Sequence, residues 1–238
     1  MIHELPLPGA RAIFSTRLGG VSEGPYESLN LGALTDDDLA RVAENRGRLA
    51  GFAGVDPGRV AMGWQVHGVD VREWEGPPAD RAFAEPGGKQ LPKVDGHTTT
   101  APGLGLLVLV ADCYPVALSD GERVAALHCG WRGLAGGIVE RALGLFEGEV
   151  SAAVGPGIGG CCYEVGDEVL EAFAELPGVA DGRMLDLRAV ASRKLAEAGV
   201  TDVRHVDECT SCRPDLYFSH RRDNGLTGRQ GGLVVLDA

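Results

Sequence analysis

Two short apolar runs, each followed by reactive side chains, constrain the fold of this chain more than any other feature. Residues 104–111 and 124–127 are too short and too β-branched to form helices with a polar face, so they predict buried strands. Asp112 and Cys113 come directly after the first run, and His128 and Cys129 directly after the second. Rigid strands that end at a thiol or an imidazole commonly position functional groups.

A third β-like run, residues 59–64, precedes Gln65 and His67. We predict that His67, Cys113 and His128 meet in space. Two imidazoles and a thiolate are zinc ligands, and a catalytic zinc site has three protein ligands and an open position for water. The three residues are too widely spaced for a zinc finger or ribbon, so such a site would belong to a large fold. From spacing alone, packed core residues remain the commoner explanation.

Asp112 and the remaining cysteines allow two interpretations each. Asp112 is a candidate acceptor for the hydrogen bond that fixes the tautomer of a ligand histidine, or an ordinary turn-capping aspartate. The pair Cys209 and Cys212 resembles half a zinc ribbon or a redox pair, but no second CxxC and no helix start accompany it, which favours a structural role. Cys161 and Cys162 are adjacent, so on a strand at most one would face a site.

The charge balance excludes several classes of partner. The chain has 22 basic and 34 acidic residues and a net charge of −12, which argues against nucleic acid or an anionic membrane as the main partner. An anionic small molecule remains possible, because a few local arginines can outweigh the global charge. We expect a soluble, cytoplasmic protein, since the start resembles no signal peptide and no apolar run is long enough to span a bilayer. The cysteines are then thiols or metal ligands rather than disulfides.

The predicted elements indicate one domain over residues 1–238 that combines helices with a mixed sheet system. One helix is predicted to start at a Thr35 cap, with Asp38 in the capping-box position, and to run to about Phe52.

Several motifs, in order along the chain, resemble the YfiH-like family, whose members are described as polyphenol oxidase or laccase domain proteins and as purine nucleoside phosphorylases. They run from residue 14 to residue 229 and cover nearly the whole chain. The matching segments are residues 14–22 (FSTRLGGVS), 28–32 (SLNLG), 45–46 (NR), 65–68 (QVHG), 111–115 (ADCYP), 128–133 (HCGWRG), 155–159 (GPGIG), 162–165 (CYEV), 209–210 (CT), 218–222 (FSHRR) and 227–229 (TGR).

The resemblance implies a single α+β domain in four α/β/β/α layers with mixed β-sheets. It implies a zinc site on His67, Cys113 and His128, and phosphorolysis of adenosine, inosine, guanosine or methylthioadenosine together with deamination of adenosine. Two positions depart from the family pattern: Cys129, where alanine is usual, and His97, where an apolar or acidic residue is expected. Neither departure removes a proposed ligand.

Roles for residues beyond the ligand trio are hypotheses drawn from the chemistry of the two reactions. Phosphorolysis needs an anion site, and deamination needs a proton shuttle, for which Asp112 is the nearest candidate in sequence. We therefore predict His67, Cys113, His128 and Asp112 as catalytic residues. The candidate substrate- or phosphate-binding residues are Asn45, Arg46, Gln65, Arg132 and Arg222.

Three other functions remain open. A multicopper oxidase is disfavoured, because the chain has six histidines and no His-x-His pair, although a single copper ion at the trio is possible. A cysteine hydrolase, with Cys113 as nucleophile and His128 or His67 as base, would use the same residues; amide cleavage in cell-wall precursor editing is one example. A non-catalytic binding protein is the third alternative.

Overall fold

The computed structural model describes residues 2–88 and 90–237. No helix in these residues is both long enough and apolar enough to cross a membrane. The strands are β1 (Ile2–Leu7), β2 (Ala10–Ser15), β3 (Val60–Ala61), β4 (Val71–Glu73), β5 (Gly96–Thr99), β6 (Gly105–Val110), β7 (Tyr114–Ser119), β8 (Val124–Cys129), β9 (Ser151–Val154), β10 (Ala180–Asp181), β11 (Met184–Leu185), β12 (Asp202–His205) and β13 (Gln230–Leu236). The helices are α1 (Leu39–Ala53), α2 (Trp131–Ala135), α3 (Ile138–Leu143), α4 (Asp167–Glu171) and α5 (Leu187–Glu197).

Most of the strands form two mixed sheets. The first has the order β1-β2-β13-β6-β3, and the second has the order β12-β9-β7-β8-β5-β4. Three pairs are parallel, namely β3 with β6, β4 with β5 and β9 with β12, whereas the other pairs within these sheets are antiparallel. Strands β10 and β11 form a separate two-stranded sheet.

The sheets stack face to face between two helical layers. Helix α1 packs on the outer face of the first sheet, and α2, α3, α4 and α5 pack on the outer face of the second. Between the sheets, large side chains of the first, such as Phe14 and Leu106, meet small ones of the second, such as Ala126 and Ala153. This close-packed α/β/β/α arrangement confirms the predicted fold class.

Strand β8 illustrates how side-chain alternation positions the site. Successive side chains of a strand point to opposite faces, so Ala126 and His128 face the first sheet, whereas Leu127 and Cys129 face the helices. His128 therefore points away from the helical layer that encloses Cys129.

Two local predictions needed correction. Helix α1 begins at Leu39, and its cap is Asp38, whose carboxylate accepts from the Ala40 N–H. Thr35 lies earlier, in a loop, because its hydroxyl is bonded to the Gly32 carbonyl and to the Asn30 amide. The run 59–64 contributes only the two residues of β3, so His67 lies in a loop.

Candidate metal centre and pocket

The structure brings His67, Cys113 and His128 together at one edge of the stacked sheets. Cys113 lies in the turn between β6 and β7, His128 is the next-to-last residue of β8, and His67 lies in the loop between β3 and β4. Their ligand atoms all lie within 4.8 Å of one another. Cys113 Sγ is 3.9 Å from His67 Nε2, and the two imidazole rings meet edge to face. The predicted convergence is thus present in the fold.

A single buried carboxylate, Asp95, organises two members of this trio. Asp95 Oδ1 lies 2.8 Å from His128 Nδ1, which leaves Nε2 of that ring available to a ligand. The Asp95 carboxylate also accepts from the backbone N–H groups of Val66, His67 and Gly68 at 2.7–3.0 Å. The side chain is fully buried. Asp95 therefore orients one imidazole and holds the loop that carries the other.

The backbone around the trio is strained. His67 has a φ of 59° and Asp112 a φ of 92°, in the left-handed region that residues other than glycine seldom adopt. Strain of this kind concentrates at functional sites, where the surrounding structure compensates for it. At His67 the three N–H bonds to Asp95 stabilise the strained loop.

Neighbouring charges favour the ionised forms of Cys113, His128 and Asp95. Burial raises the pKa of the Cys113 thiol, but the charges and hydrogen bonds of His128 and His67 outweigh burial and bring that pKa to about 6. Burial lowers the pKa of His128, yet Cys113 and Asp95 raise it to about 9. For Asp95, burial is outweighed by hydrogen bonds from His128 and two backbone N–H groups, so its pKa falls to about 2. The arrangement thus favours a thiolate at Cys113.

Gly130 lies against the trio, where a larger residue would collide with two of its members. A Cβ at this position would lie 3.0 Å from both Cys113 Sγ and His67 Cδ2, closer than side chains normally pack. We expect Gly130→Ala to displace these ligand atoms and to weaken metal binding roughly tenfold or more, since small misplacements are costly in such sites. Competition with a chromogenic chelator measures this affinity.

Gly47→Ala is the matched control for that substitution. Gly47 is exposed within α1, and a Cβ there would meet nothing within 4 Å. The control should therefore retain full metal affinity. Equal affinity in Gly130→Ala and Gly47→Ala would contradict the proposed steric role of Gly130.

The trio lies in a pocket of about 610 Å³, within the usual range for small-molecule sites. Four arginines line it, while Asp112 is the acidic residue among the described lining residues, so the pocket is locally basic in an acidic protein. Aromatic side chains complete the wall. The arginines are Arg46, Arg132, Arg221 and Arg229, and the aromatic residues are Trp64, Trp131, Tyr163 and His220.

Three of the predicted substrate-binding residues line this pocket. Arg46 is almost fully buried and donates to the carbonyls of Leu31 and Ala82. Gln65 is bonded through its amide to the backbone N–H and carbonyl of Leu109. Arg132 is exposed, with its guanidinium 4.2 Å from the ring centroid of Trp131.

Asn45 and Arg222 lie outside the pocket lining. The Asn45 side chain is fully buried and bonds the loop formed by Val21, Ser22, Ser28 and Asn30. Arg222 forms a two-point ion pair with Asp223 and also donates to two backbone carbonyls. Both side chains hold loops together, because their polar atoms are engaged by the protein itself.

Asp112 was a candidate for the acceptor that fixes the tautomer of a ligand histidine, but it has other hydrogen-bond partners in the structure. Its carboxylate accepts from the Thr210 hydroxyl at 2.6 Å and from the Arg221 backbone N–H at 2.7 Å. The acceptor for the His128 ring is Asp95, so Asp112 does not fix that tautomer. The role of Asp112 as a proton shuttle stays a prediction.

The two departures from the family pattern are structural. Cys129 is fully buried against the helical layer, on the face of β8 opposite to His128, which explains why a thiol is tolerated there. His97 is buried between the sheets, where its Nδ1 accepts from the indole N–H of Trp74 at 3.2 Å. Burial lowers the pKa of His97 to about 4.

The donor set of the trio fits a zinc ion. Ligands bound to one zinc at about 2.0–2.3 Å lie roughly 3–4 Å apart, which matches the sulfur-to-nitrogen separation of 3.9 Å. Asp95 supplies the carboxylate that ligand histidines usually contact with their other ring nitrogen. Among the described residues, the other group of three or more metal-binding side chains consists of cysteines and lacks the histidines that multicopper sites use.

Comparison with known proteins identifies the family. Residues 11–237 match the family model described as "Multi-copper polyphenol oxidoreductase laccase". Purine nucleoside phosphorylase YfiH of Escherichia coli (strain K12) is 37% identical over 250 residues, covering 99% of this chain and 98% of that protein. A protein of Deinococcus radiodurans that is also named purine nucleoside phosphorylase is 42% identical, covering 94% of this chain and 88% of its own length.

Solved structures agree with this result. The crystal structure of YlmD from Geobacillus stearothermophilus superposes with a TM-score of 0.87 at 33% identity, and covers 97% of this chain and 93% of that chain. The crystal structure of Neisseria meningitidis protein NMB0706 superposes with a TM-score of 0.84, also at 33% identity.

Proposed function

Because this chain belongs to the family described as multi-copper polyphenol oxidoreductase laccase, and relatives over nearly its whole length are named purine nucleoside phosphorylase, we propose that it is a zinc-dependent purine nucleoside phosphorylase. The proposed substrates are adenosine, inosine, guanosine and methylthioadenosine, with inorganic phosphate. The observation that carries the proposal is one pocket that combines three side chains able to bind a metal ion, four arginines and aromatic walls.

Each part of the pocket suits one part of this reaction. Guanidinium groups bind phosphate through charge-assisted, often paired hydrogen bonds, which gives Arg132, Arg221 and Arg229 an anion-binding role. Purine bases stack on aromatic rings, for which Trp64 and Tyr163 are candidates. In phosphorolysis a phosphate oxygen bonds to C1′ of the sugar while the C1′–N9 bond breaks and the purine leaves.

His67, Cys113 and His128 would hold the zinc ion, with Asp95 orienting His128. Bound there, zinc would supply Lewis acidity. Copper is the alternative metal, since it competes well for nitrogen and sulfur ligands. The chain's own contribution is to fix the ligand geometry and to surround the substrate with cationic and aromatic groups.

Deamination of adenosine in the same pocket is the second activity that we propose. It replaces the 6-amino group by oxygen from water and needs no phosphate. Chromatography of adenosine incubated with and without phosphate separates the two reactions. Adenine that forms only with phosphate supports phosphorolysis, whereas inosine that forms without phosphate makes deamination primary. A zinc-loaded protein that converts no purine nucleoside would contradict both.

Arg132 provides a direct test of the anion site. We expect Arg132→Gln to raise the KM for phosphate about 10- to 100-fold, because one charge-assisted hydrogen bond contributes about 1.5–3 kcal/mol. The KM for the nucleoside and the metal content should change little. Arg141→Gln is the control, since Arg141 forms an exposed ion pair with Asp70 outside the pocket lining. Equal phosphate KM values for the two variants would rule out Arg132 as a phosphate ligand.

One observation favours a second candidate function, a cysteine hydrolase acting on amides. The lowered pKa of Cys113 and its contact with two imidazoles are also what a thiol nucleophile requires. Chelators that remove activity and zinc that restores it would support the metal enzyme. Alkylation that abolishes the activity of a metal-free but active protein would support the nucleophile.

A further inference from the structure

A second group of sulfur ligands lies outside the pocket. The sulfur atoms of Cys161, Cys162, Cys209 and Cys212 all lie within 4.8 Å of one another. Cys212 Sγ is 3.5 Å from Cys161 Sγ and 3.3 Å from Cys162 Sγ, and all four residues are free cysteines. Nothing in the proposed reaction uses these thiols.

Sheet topology explains why residues so distant in sequence converge. Strands β9 and β12 are parallel neighbours, so the loops that follow their carboxyl ends leave the second sheet side by side. Gly157 in the first loop forms a parallel bridge with Cys209 in the second, and the Thr210 N–H donates to the Gly157 carbonyl. The two pairs of cysteines are therefore held side by side by the fold.

The local backbone conformation brings the four sulfur atoms close together. The Cys162 N–H donates to the Gly159 carbonyl, so Cys161 and Cys162 lie in a turn rather than on a strand. The expectation that at most one of them would face a site assumed a strand, and it does not hold in this turn. The Gly159 N–H also points at Cys209 Sγ, at 3.2 Å, and a Cβ on Gly159 would lie 3.2 Å from Cys161 Sγ. Glycine at position 159 keeps the loop close to the sulfurs.

We propose that Cys161, Cys162, Cys209 and Cys212 bind a second zinc ion in a closed, structural site. Four thiolates around one zinc at about 2.3 Å place the sulfurs about 3.8 Å apart, close to the separations found here. The thiolates of an iron–sulfur cluster bind different irons and lie farther apart, so the compact group favours a single ion. Backbone N–H donors to ligand sulfur, as at Cys209, accompany such sites.

This second ion would stabilise one wall of the pocket. Tyr163, which directly follows Cys162, lines the pocket beneath the Arg221 guanidinium. Thr210, which lies between the other two cysteines, donates to Asp112, the neighbour of Cys113. The four-cysteine site would thus join two loops that contact the pocket, without contacting the substrate.

Zinc analysis of five proteins by mass spectrometry, after removal of loosely bound metal, tests the proposal. We expect two zinc ions per chain in the wild type, one in Cys113→Ala, one in Cys212→Ser and none in the double variant. Cys129→Ala is the matched control, because it deletes a buried thiol outside both groups, and it should retain both ions. One zinc in the wild type and in Cys212→Ser, with none in Cys113→Ala, would overturn the proposal, as would iron in place of the second zinc.

A second measurement needs no substitution in the new site. Cobalt-substituted Cys113→Ala protein should show the visible bands of a tetrahedral site and near-ultraviolet charge-transfer bands from several thiolates. Absence of these bands would contradict the proposal even if Cys212→Ser fails to fold. Alkylation of the unreduced, denatured protein counts free thiols, and a disulfide among these four residues in freshly purified protein would also overturn it.

Discussion

Cys113→Ala is expected to remove the pocket metal and to lower phosphorolysis roughly 100-fold or more. The expectation follows from geometry, because Cys113 supplies the one sulfur among three ligand atoms that lie within 4.8 Å of one another. Loss of a residue that merely supports a metal ligand costs about 10–100-fold in affinity or activity, so loss of a ligand should reach at least the upper end. The measurements are zinc content and initial rates with adenosine and phosphate.

Cys129→Ala is the control for this substitution. It removes a thiol sixteen residues farther along the chain, on the face of β8 that packs against the helices, and it should keep both zinc content and rate. Normal zinc content with normal activity in Cys113→Ala would refute the proposed metal site. Normal zinc content with no activity would instead support Cys113 as a nucleophile.

Asp95→Asn should have the second largest effect, and it should act on both metal affinity and stability. The carboxylate now accepts hydrogen bonds from the backbone N–H groups of Val66, His67 and Gly68. An amide keeps one acceptor oxygen, but its NH2 group would face N–H donors and could not accept from them. We expect metal affinity to fall about 10–100-fold. We also expect the free energy of unfolding to fall by about 1–3 kcal/mol, the cost of leaving buried donors unpaired. Titration with zinc and urea unfolding of the metal-free protein measure the two effects separately.

Asp120→Asn is the matched control for Asp95→Asn. Asp120 also accepts from three backbone N–H groups, those of Glu122, Arg123 and Gly148, but it lies in the turn before β8 and outside the pocket lining. Its substitution should lower stability and leave zinc affinity unchanged. If Asp95→Asn affected stability alone, as Asp120→Asn should, the carboxylate would have no role in orienting the metal ligands.

Much of the architecture could be predicted from patterns that are local in sequence. The apolar runs that became β6 and β8 were evident, because a strand buried on both faces is apolar at successive positions. The same pattern located Cys113 and His128 next to strand ends. The four-layer order, in contrast, came from the family resemblance, since no local rule states which faces of two sheets will pack together.

The supporting residues of the pocket were less predictable. Asp95 lies in a Gly- and Pro-containing stretch whose local pattern resembles an ordinary turn, and its tie to His128 depends on the pairing of β5 with β8. Arg221 and Arg229 were visible only as basic residues near the end of the chain. A charged residue in a loop has the same local signature whether it faces solvent or a pocket.

Local sequence patterns predicted the candidate ligand trio and the strands next to two of its members, and the acidic charge disfavoured nucleic acid as a partner. Other features became visible only in the folded chain: Asp95, rather than Asp112, orients His128, and Asn45 and Arg222 hold loops instead of lining the pocket. The convergence of two pairs of cysteines, about 50 residues apart, is another. Strand periodicity and burial depend on neighbouring residues, so they can be recognised in the sequence. The partner of a buried polar group is chosen by sheet pairing and loop packing, which bring together residues far apart along the chain.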